Sequence, residues 1–273
     1  MSRLGFIAWQ GKSWIDGSPI MAVVTLKTSN RKTGDMAQVW ILRTDLDPVA
    51  AIKSGGDRSI CGGCIHRGTD GFAGRSCYVD VGKAPLVIWR AVQRGAYARF
   101  DSSGSQEVQA ARIASALDRR AVRLGAYGDP AVLPEWVLQS LTLKAHRHTG
   151  YTHQWRDPRA AQARRFCMAS CDTPAEVDAA RADGWRVFFV GATKIVGHRS
   201  IACPASDEAG HRTTCDRCGL CSGANTTSGR PIAFSRSVPS VVTILPHGSG
   251  TKHLAAKVAL TIGGAPIGGA PRA

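Results

Sequence analysis

The sequence predicts an α/β fold: a partial (β/α)6 TIM-like barrel, with short N-terminal strands before it and a cysteine-rich C-terminal metal-binding loop after it. Three observations lead there. Strand-like apolar runs alternate with helix-like stretches between residues 121 and 203, the rhythm of parallel βαβ units. About six strands can be counted from Val39 onward, too few for an eight-fold barrel, with a doubly wound sheet as the alternative. Cysteines gather in two places, one after the first barrel strand and one after the last.

Each element has its own signal. Phe6–Trp9, Ala22–Leu26 and Val39–Leu42 are short apolar runs separated by Gly17-Ser18-Pro19 and the polar stretch 29–35, which reads as strands and turns. Pro85 suits a first helical position and opens a helix to Tyr97. Asp101-Ser102-Ser103 is read as the cap of a helix to Arg120 whose apolar side is Val108, Ala111, Ile113, Ala114 and Leu117. Strands follow at 121–126, 150–155, 166–170, 185–190 and 200–203, with helices at 134–146, 158–165 and 174–183 between them. The organisation expected is a strand-rich segment over 1–38, the barrel over 39–202 with its cysteine-rich loop at 54–82, a metal-binding region over 203–260 and a Gly/Pro/Ala-rich disordered tail over 261–273.

Composition narrows the class. Apolar residues at 44% and charged residues at 20% are globular values, which argues against wholesale disorder. No apolar run reaches eighteen residues and no leader pattern opens the chain, so the reading is no membrane span and a cytoplasmic setting. Thiols stay reduced there, and nine cysteines are then ligands or reactive groups rather than disulfides. Lys+Arg is 35 against 20 Asp+Glu, a formal charge of +15 that favours a polyanionic partner, nucleic acid or a nucleotide.

The first cysteine set is Cys61-Gly-Gly-Cys64 with Cys77. Three thiolates leave one position open on an iron–sulfur cluster, or His66 closes a tetrahedral zinc knuckle. The second set is Cys203 with Cys215, Cys218 and Cys221, whose CxxCxxC run resembles a [4Fe–4S] ferredoxin loop; zinc is the equal alternative. Cys167 and Cys171 read as small buried hydrophobes.

Other residues fall at predicted strand ends. Gly125, Tyr127, Gly128 and Asp129 form an edge where backbone can approach a ligand and one carboxylate can hold an amine or a proton, although Asp129-Pro130 also reads as a plain turn. His153 lies in an aromatic, hydrogen-bonding stretch suited to a flat base. Ser170 and Asp172 end the next strand, where Asp172-Thr173-Pro174-Ala-Glu176 also reads as a helix start. Lys144, Arg147, Arg156, Arg159, Arg164 and Arg165, interleaved with Tyr151 and Trp155, suit a phosphate backbone with exposed bases or simply a solvated face.

Two resemblances follow from these pieces. Lys32-Thr33-Gly34, Cys77-Tyr78, Gly128-Asp129, Tyr151-Thr152, Cys203-Pro204 with its CxxCxxC, and Ile232-Ala233-Phe234 together resemble the phage- and plasmid-borne "gene product 88" group. That resemblance implies a mobile-element origin and no particular activity. The layout also looks like a radical S-adenosylmethionine enzyme, with three cysteines after the first barrel strand and a Gly-Asp edge after the second. The spacing departs from that superfamily's CxxxCxxC: here it is CxxC with the third cysteine thirteen positions later. This second resemblance implies a [4Fe–4S] cluster on Cys61, Cys64 and Cys77, with S-adenosylmethionine held near Gly125, Gly128, Asp129 and Ser170. It also implies an auxiliary cluster on the late cysteines; the candidate catalytic residues are Asp129, Tyr127, His153 and Asp172. Three functions compete: an iron–sulfur enzyme modifying a nucleobase or nucleotide; a transglycosylase-like base-exchange enzyme with Asp129 or Asp172 as nucleophile and structural zinc; and a non-catalytic, metal-stabilised nucleic-acid-binding protein.

Overall fold

A computed structural model describes residues 4–68, 74–101, 104–191, 195, 197–224 and 239–245. The chain is mixed α/β, with two sheets that are mostly parallel. It runs β1 (Gly5–Lys12), β2 (Pro19–Thr25), β3 (Met36–Arg43), α1 (Pro48–Lys53), α2 (Arg58–Cys61), α3 (Ala84–Gln93), β4 (Ala98–Arg99), α4 (Gln106–Ala116), β5 (Ala121–Tyr127) and α5 (Glu135–Thr142). There follow β6 (Arg147–Thr149), β7 (Tyr151–Thr152), β8 (Met168–Cys171), α6 (Pro174–Ala182), β9 (Val187–Val190), β10 (Ser200–Ala202), α7 (Cys215–Cys218) and β11 (Val241–Ile244).

The first sheet has the order β4-β1-β2-β3-β5-β6 and the second β10-β11-β9-β8-β7. β1, β2 and β3 are an antiparallel meander, and β3, β5 and β6 then run parallel. All pairings in the second sheet are parallel. Only Gly150 separates the edge strand of one sheet from the edge strand of the other. A Cβ there would stand 2.7 Å from the Cys167 sulfur, so a larger residue cannot make this crossing without a shift. The main core is apolar and continuous from Phe6 and Ile20 on the meander through Leu124 and Leu138 to Phe189.

Several elements differ from the sequence reading. The strand expected over 150–155 starts earlier, at Arg147, and breaks at Gly150, because helix α5 stops at Thr142 rather than His146. Residues 158–165 form a 3-10 helix, not an α-helix. Helix α4 begins after Ser105, and Val108 and Ala111 face solvent; only Ile113, Ala114 and Leu117 of the expected apolar side are buried. The tail over 261–273, the segment Ile232-Ala233-Phe234 and parts of the 54–82 and 203–260 regions lie outside the described residues. No helix among the described residues is long and apolar enough to cross a membrane.

Candidate metal centre and its cavity

The C-terminal ends of the parallel strands meet around a cavity of about 380 Å³. Strand C-terminal edges are where α/β folds gather ligand-binding loops. Cys61, Cys64 and Cys77 all line this cavity, together with Gly125, Tyr127, Gly128, Asp129, His153 and Ser170 from the later strand ends. These sequence-predicted residues line one cavity, while Asp172 is not among its lining residues.

The CxxC is positioned by local geometry. Asp47 caps α1 by accepting the amides of Val49 and Ala50, and the chain turns through Gly55 and Gly56 into α2. α2 ends at Gly62, whose φ of +56° strains any residue with a side chain. A Cβ at Gly62 would fall 2.1 Å from the Gln154 side-chain oxygen. That amide stitches the site together: its oxygen accepts the Gly63 amide at 3.1 Å, and its nitrogen donates to the Cys61 carbonyl at 2.9 Å and to Asp129 Oδ2 at 3.4 Å.

Asp129 is the hub of this wall. Its amide donates to the Ile60 carbonyl at 2.7 Å, its Oδ1 accepts the Ala131 amide at 3.0 Å, and its Oδ2 accepts the His153 amide at 2.8 Å. Asp129 caps the following turn, as the plain-turn reading has it, and also lines the cavity. Burial pushes its carboxyl above the usual carboxylate range, against the opposing hydrogen bonds. Gly125 lies at a bulge: β5 advances from Arg123 to Tyr127 while β3 advances only from Gln38 to Trp40. Its φ of +67°, and that of +79° at Gly128, let the strand end fold against Pro130 and Ile41.

His66 stands beside the thiols but is engaged elsewhere. Nδ1 is 2.8 Å from the Ser76 hydroxyl and Nε2 donates to Asp172 Oδ1 at 3.0 Å. Asp172 is free for this because Thr173 and Glu176 form the capping box of α6, so the helix start needs no carboxylate from residue 172. Burial alone would push the Asp172 carboxyl up, but the His66 hydrogen bond and the charges of His66 and His153 outweigh it and hold it below the ordinary value. Among the described residues, His66, His153 and Asp172 are the one set of three His, Cys, Asp or Glu whose ligand atoms all lie within 4.8 Å of one another.

The second cysteine set reaches the same cavity through Cys215. Cys215 lines it, beside Lys32, Arg123 and Tyr151. The Cys215 and Asp216 amides donate to the carbonyls of Lys32 and Thr33, the Gly150 amide donates to the Cys221 carbonyl at 3.0 Å, and the Tyr151 hydroxyl donates to the Cys221 sulfur. Buried Arg186 clamps the loop from below, donating to the carbonyls of Leu220 and Gly223 at 2.6 and 2.9 Å. Burial pushes the Cys215 thiol up to about 11, with Cys203 adding to it and Arg123 and Lys32 opposing. Cys221 is pushed up to about 12 by burial, although the Tyr151 hydroxyl opposes the rise. The thiols of Cys61, Cys64 and Cys77 are likewise raised by burial, and Cys61 further by its two partners. Burial thus favours the protonated thiol at Cys61, Cys64, Cys77, Cys203, Cys215 and Cys221, and a metal would have to displace those protons. Cys167 and Cys171 are fully buried, as expected of packing residues.

Comparison with family models, curated proteins and solved structures gave no match.

The basic residues are less concentrated than their spacing suggests. Arg156 pairs with Glu176 and lies over Trp155, Arg159 pairs with Asp157 and lies over Trp14, and Arg165 pairs with Glu135. Arg164 donates to the Asp183 carbonyl, Arg147 lies on β6 beside Gly219, and Lys144 is exposed. Sequence reasoning passed over Gln154, Arg123 and Lys32 as site residues. Their signal was weak, because each becomes part of the site only through contacts to segments tens of residues away.

Proposed function

We propose that this chain is an iron–sulfur enzyme of radical S-adenosylmethionine-like layout, acting on a nucleobase or nucleotide. The observation that carries the reading is that Cys61, Cys64 and Cys77 line one cavity together with Asp129, while both ring nitrogens of His66 meet other partners. Three thiolates without a fourth protein ligand match a cluster that keeps one iron open.

The finer fold reading belongs to the same proposal. β3, β5, β6 with β7, β8 and β9 follow one another in parallel across the two sheets, the sequential order of a partial barrel with this cavity at its mouth, and β11 and β10 extend it out of that order.

Cys61, Cys64 and Cys77 would hold the catalytic cluster and Cys203, Cys215, Cys218 and Cys221 an auxiliary one. When bound, the catalytic cluster supplies one-electron chemistry to S-adenosylmethionine at its open iron. The chain's own residues do the rest. Gly125, Gly128 and Ser170 let a ligand approach backbone at the strand ends. Asp129, with its raised carboxyl, is placed to hold a proton at Oδ1 or Oδ2 or to orient an amine, and the buried Tyr127 hydroxyl adds a second donor. Tyr78, Tyr151 and Phe188 line the cavity for a flat ring, and Lys32 and Arg123 for a phosphate. A volume of about 380 Å³ lies within the usual range for small-ligand sites. The phage resemblance and the charge of +15 favour a nucleic-acid or nucleotide substrate in a cytoplasmic setting.

The test is a nucleoside analysis by mass spectrometry. DNA, RNA and free nucleotides are incubated anaerobically with reductant, S-adenosylmethionine and the protein. A new nucleoside mass is expected with wild type and absent with Cys77→Ala. No new mass in any pool argues for the non-catalytic, metal-stabilised binding protein. A modification that survives Cys77→Ala but not Asp129→Asn argues for base exchange.

A further inference from the structure

We propose that His66, His153 and Asp172 form a second metal site beside the thiols, a nitrogen–oxygen site for one divalent first-row cation such as Mn²⁺ or Fe²⁺, open to the cavity. The inference goes beyond the iron–sulfur reading and does not rest on it.

The three residues come from distant segments: the turn after Cys64, the end of β7 and the end of β8. Their ligand atoms nevertheless all lie within 4.8 Å of one another. His66 Nε2 is 3.0 Å from Asp172 Oδ1 and His153 Nε2 is 3.7 Å from Asp172 Oδ2, with the two rings edge to face at 5.2 Å. Two imidazoles and one carboxylate are a donor set that suits Fe²⁺, Mn²⁺ or Zn²⁺ and leaves positions free for water or substrate.

A plain His–Asp ion pair explains only part of this geometry. It satisfies His66 but leaves His153 Nε2 enclosed with no hydrogen-bond partner among the described residues. At 3.7 Å that nitrogen is too far from the carboxylate for a hydrogen bond. A buried polar atom without a partner is unfavourable, and a cation between the imidazoles and the carboxylate would use its lone pair.

The surroundings hold each donor as outer partners of a metal site do. Ser76 meets His66 Nδ1 at 2.8 Å, and a hydroxyl can accept from Nδ1–H once Nε2 binds a cation. The His153 amide is anchored on Asp129 at 2.8 Å and the Asp172 amide on Glu176 at 2.7 Å. Both histidines line the cavity, so free coordination positions would face whatever occupies it. A cation there would polarise a carbonyl or phosphoryl oxygen of that ligand, as a Lewis acid.

The experiment is titration of the full-length chain with Mn²⁺, free Mn²⁺ being followed by electron paramagnetic resonance. Mn²⁺ is chosen because nitrogen and oxygen donors suit it and thiolates do not. One saturable site per chain is expected. Its affinity should fall at least about tenfold in His153→Ala and in Asp172→Asn, and stay unchanged in Cys77→Ala. His153 is partly exposed, and His153→Gln, which keeps bulk and a polar tip, serves as a second variant with the same expected loss. Absence of saturable binding, affinity unchanged by the His153 and Asp172 variants, or loss in Cys77→Ala would each overturn the proposal. His66→Ala should lose Mn²⁺ while keeping any iron. A chain that binds Mn²⁺ but carries no iron would sink the iron–sulfur reading alone, and the converse would sink this one alone.

Discussion

A single methyl group at residue 62 would tell much about how the CxxC is held. Gly62 has φ +56° and its Cβ would collide with the Gln154 amide that ties Gly63, Cys61 and Asp129 together. Gly62→Ala should therefore cost about 1–3 kcal/mol and lower metal content. Gly17→Ala, also at positive φ but with nothing within 4 Å, should lower the melting temperature without touching metal. His148 supplies a pH test at the same scale. Burial holds its ring down at about 4, while an unfolded histidine titrates near 6.5. The unfolded chain thus binds more protons in between, so this residue's stabilisation is full above about pH 6.5 and is lost as pH falls towards 4. The difference corresponds to at most about 3 kcal/mol. Urea melts between about pH 4 and 7 should show that slope, flattened in His148→Leu; equal slopes would remove His148 as its source. Among single residues, Asp129 was legible in the sequence because a carboxylate beside glycines at a strand end is unusual. Gln154 was not, because an amide acquires its role only when residues 61, 63 and 129 are folded around it.

At the scale of elements, the late cysteine loop is the part most dependent on its surroundings. α7 is a single turn, and the described loop is held by the 32–33 carbonyls, Gly150, Tyr151 and Arg186 and by a small apolar cluster in which Cys203, Ala205 and Cys221 pack with Met168, Val242 and Ile244. The free energy of thiolate–metal binding is folding free energy in such a segment. Cys218→Ser should lower metal content and soluble yield together; wild-type yield with full occupancy would count against a metal role. Arg186→Met should act more locally, costing about 3 kcal/mol by leaving loop carbonyls without a donor, measurable as a lowered melting temperature. The alternation of strands and helices from residue 121 was readable because each apolar run is bounded by Pro, Gly or a capping residue. The break at Gly150 and the insertion of β11 between β9 and β10 were not, since both depend on pairing between strands far apart in sequence. Helix α4 misled for a related reason: its apolar periodicity continues over Val108 and Ala111, but both are exposed.

At the scale of the whole molecule, the charge of +15 and the cavity make separate claims about nucleic acid. Arg156, Arg159, Arg164 and Arg165 are exposed, and the surface pairs Arg159–Asp157 and Arg165–Glu135 are weak enough to exchange for phosphate. If this face grips a duplex, replacing all four with Ala should flatten the dependence of log affinity on log salt by about 0.9 for each phosphate that is no longer neutralised. An unchanged slope would move the grip elsewhere, with Lys32 and Arg123 in the cavity as the next candidates. The central claim concerns the metal itself, and the most direct measurement is the metal content and absorption spectrum of wild-type protein purified without oxygen. Two [4Fe–4S] clusters predict brown protein with a broad band near about 400 nm and about eight iron atoms per chain. Colourless protein carrying stoichiometric zinc and no iron would contradict the account.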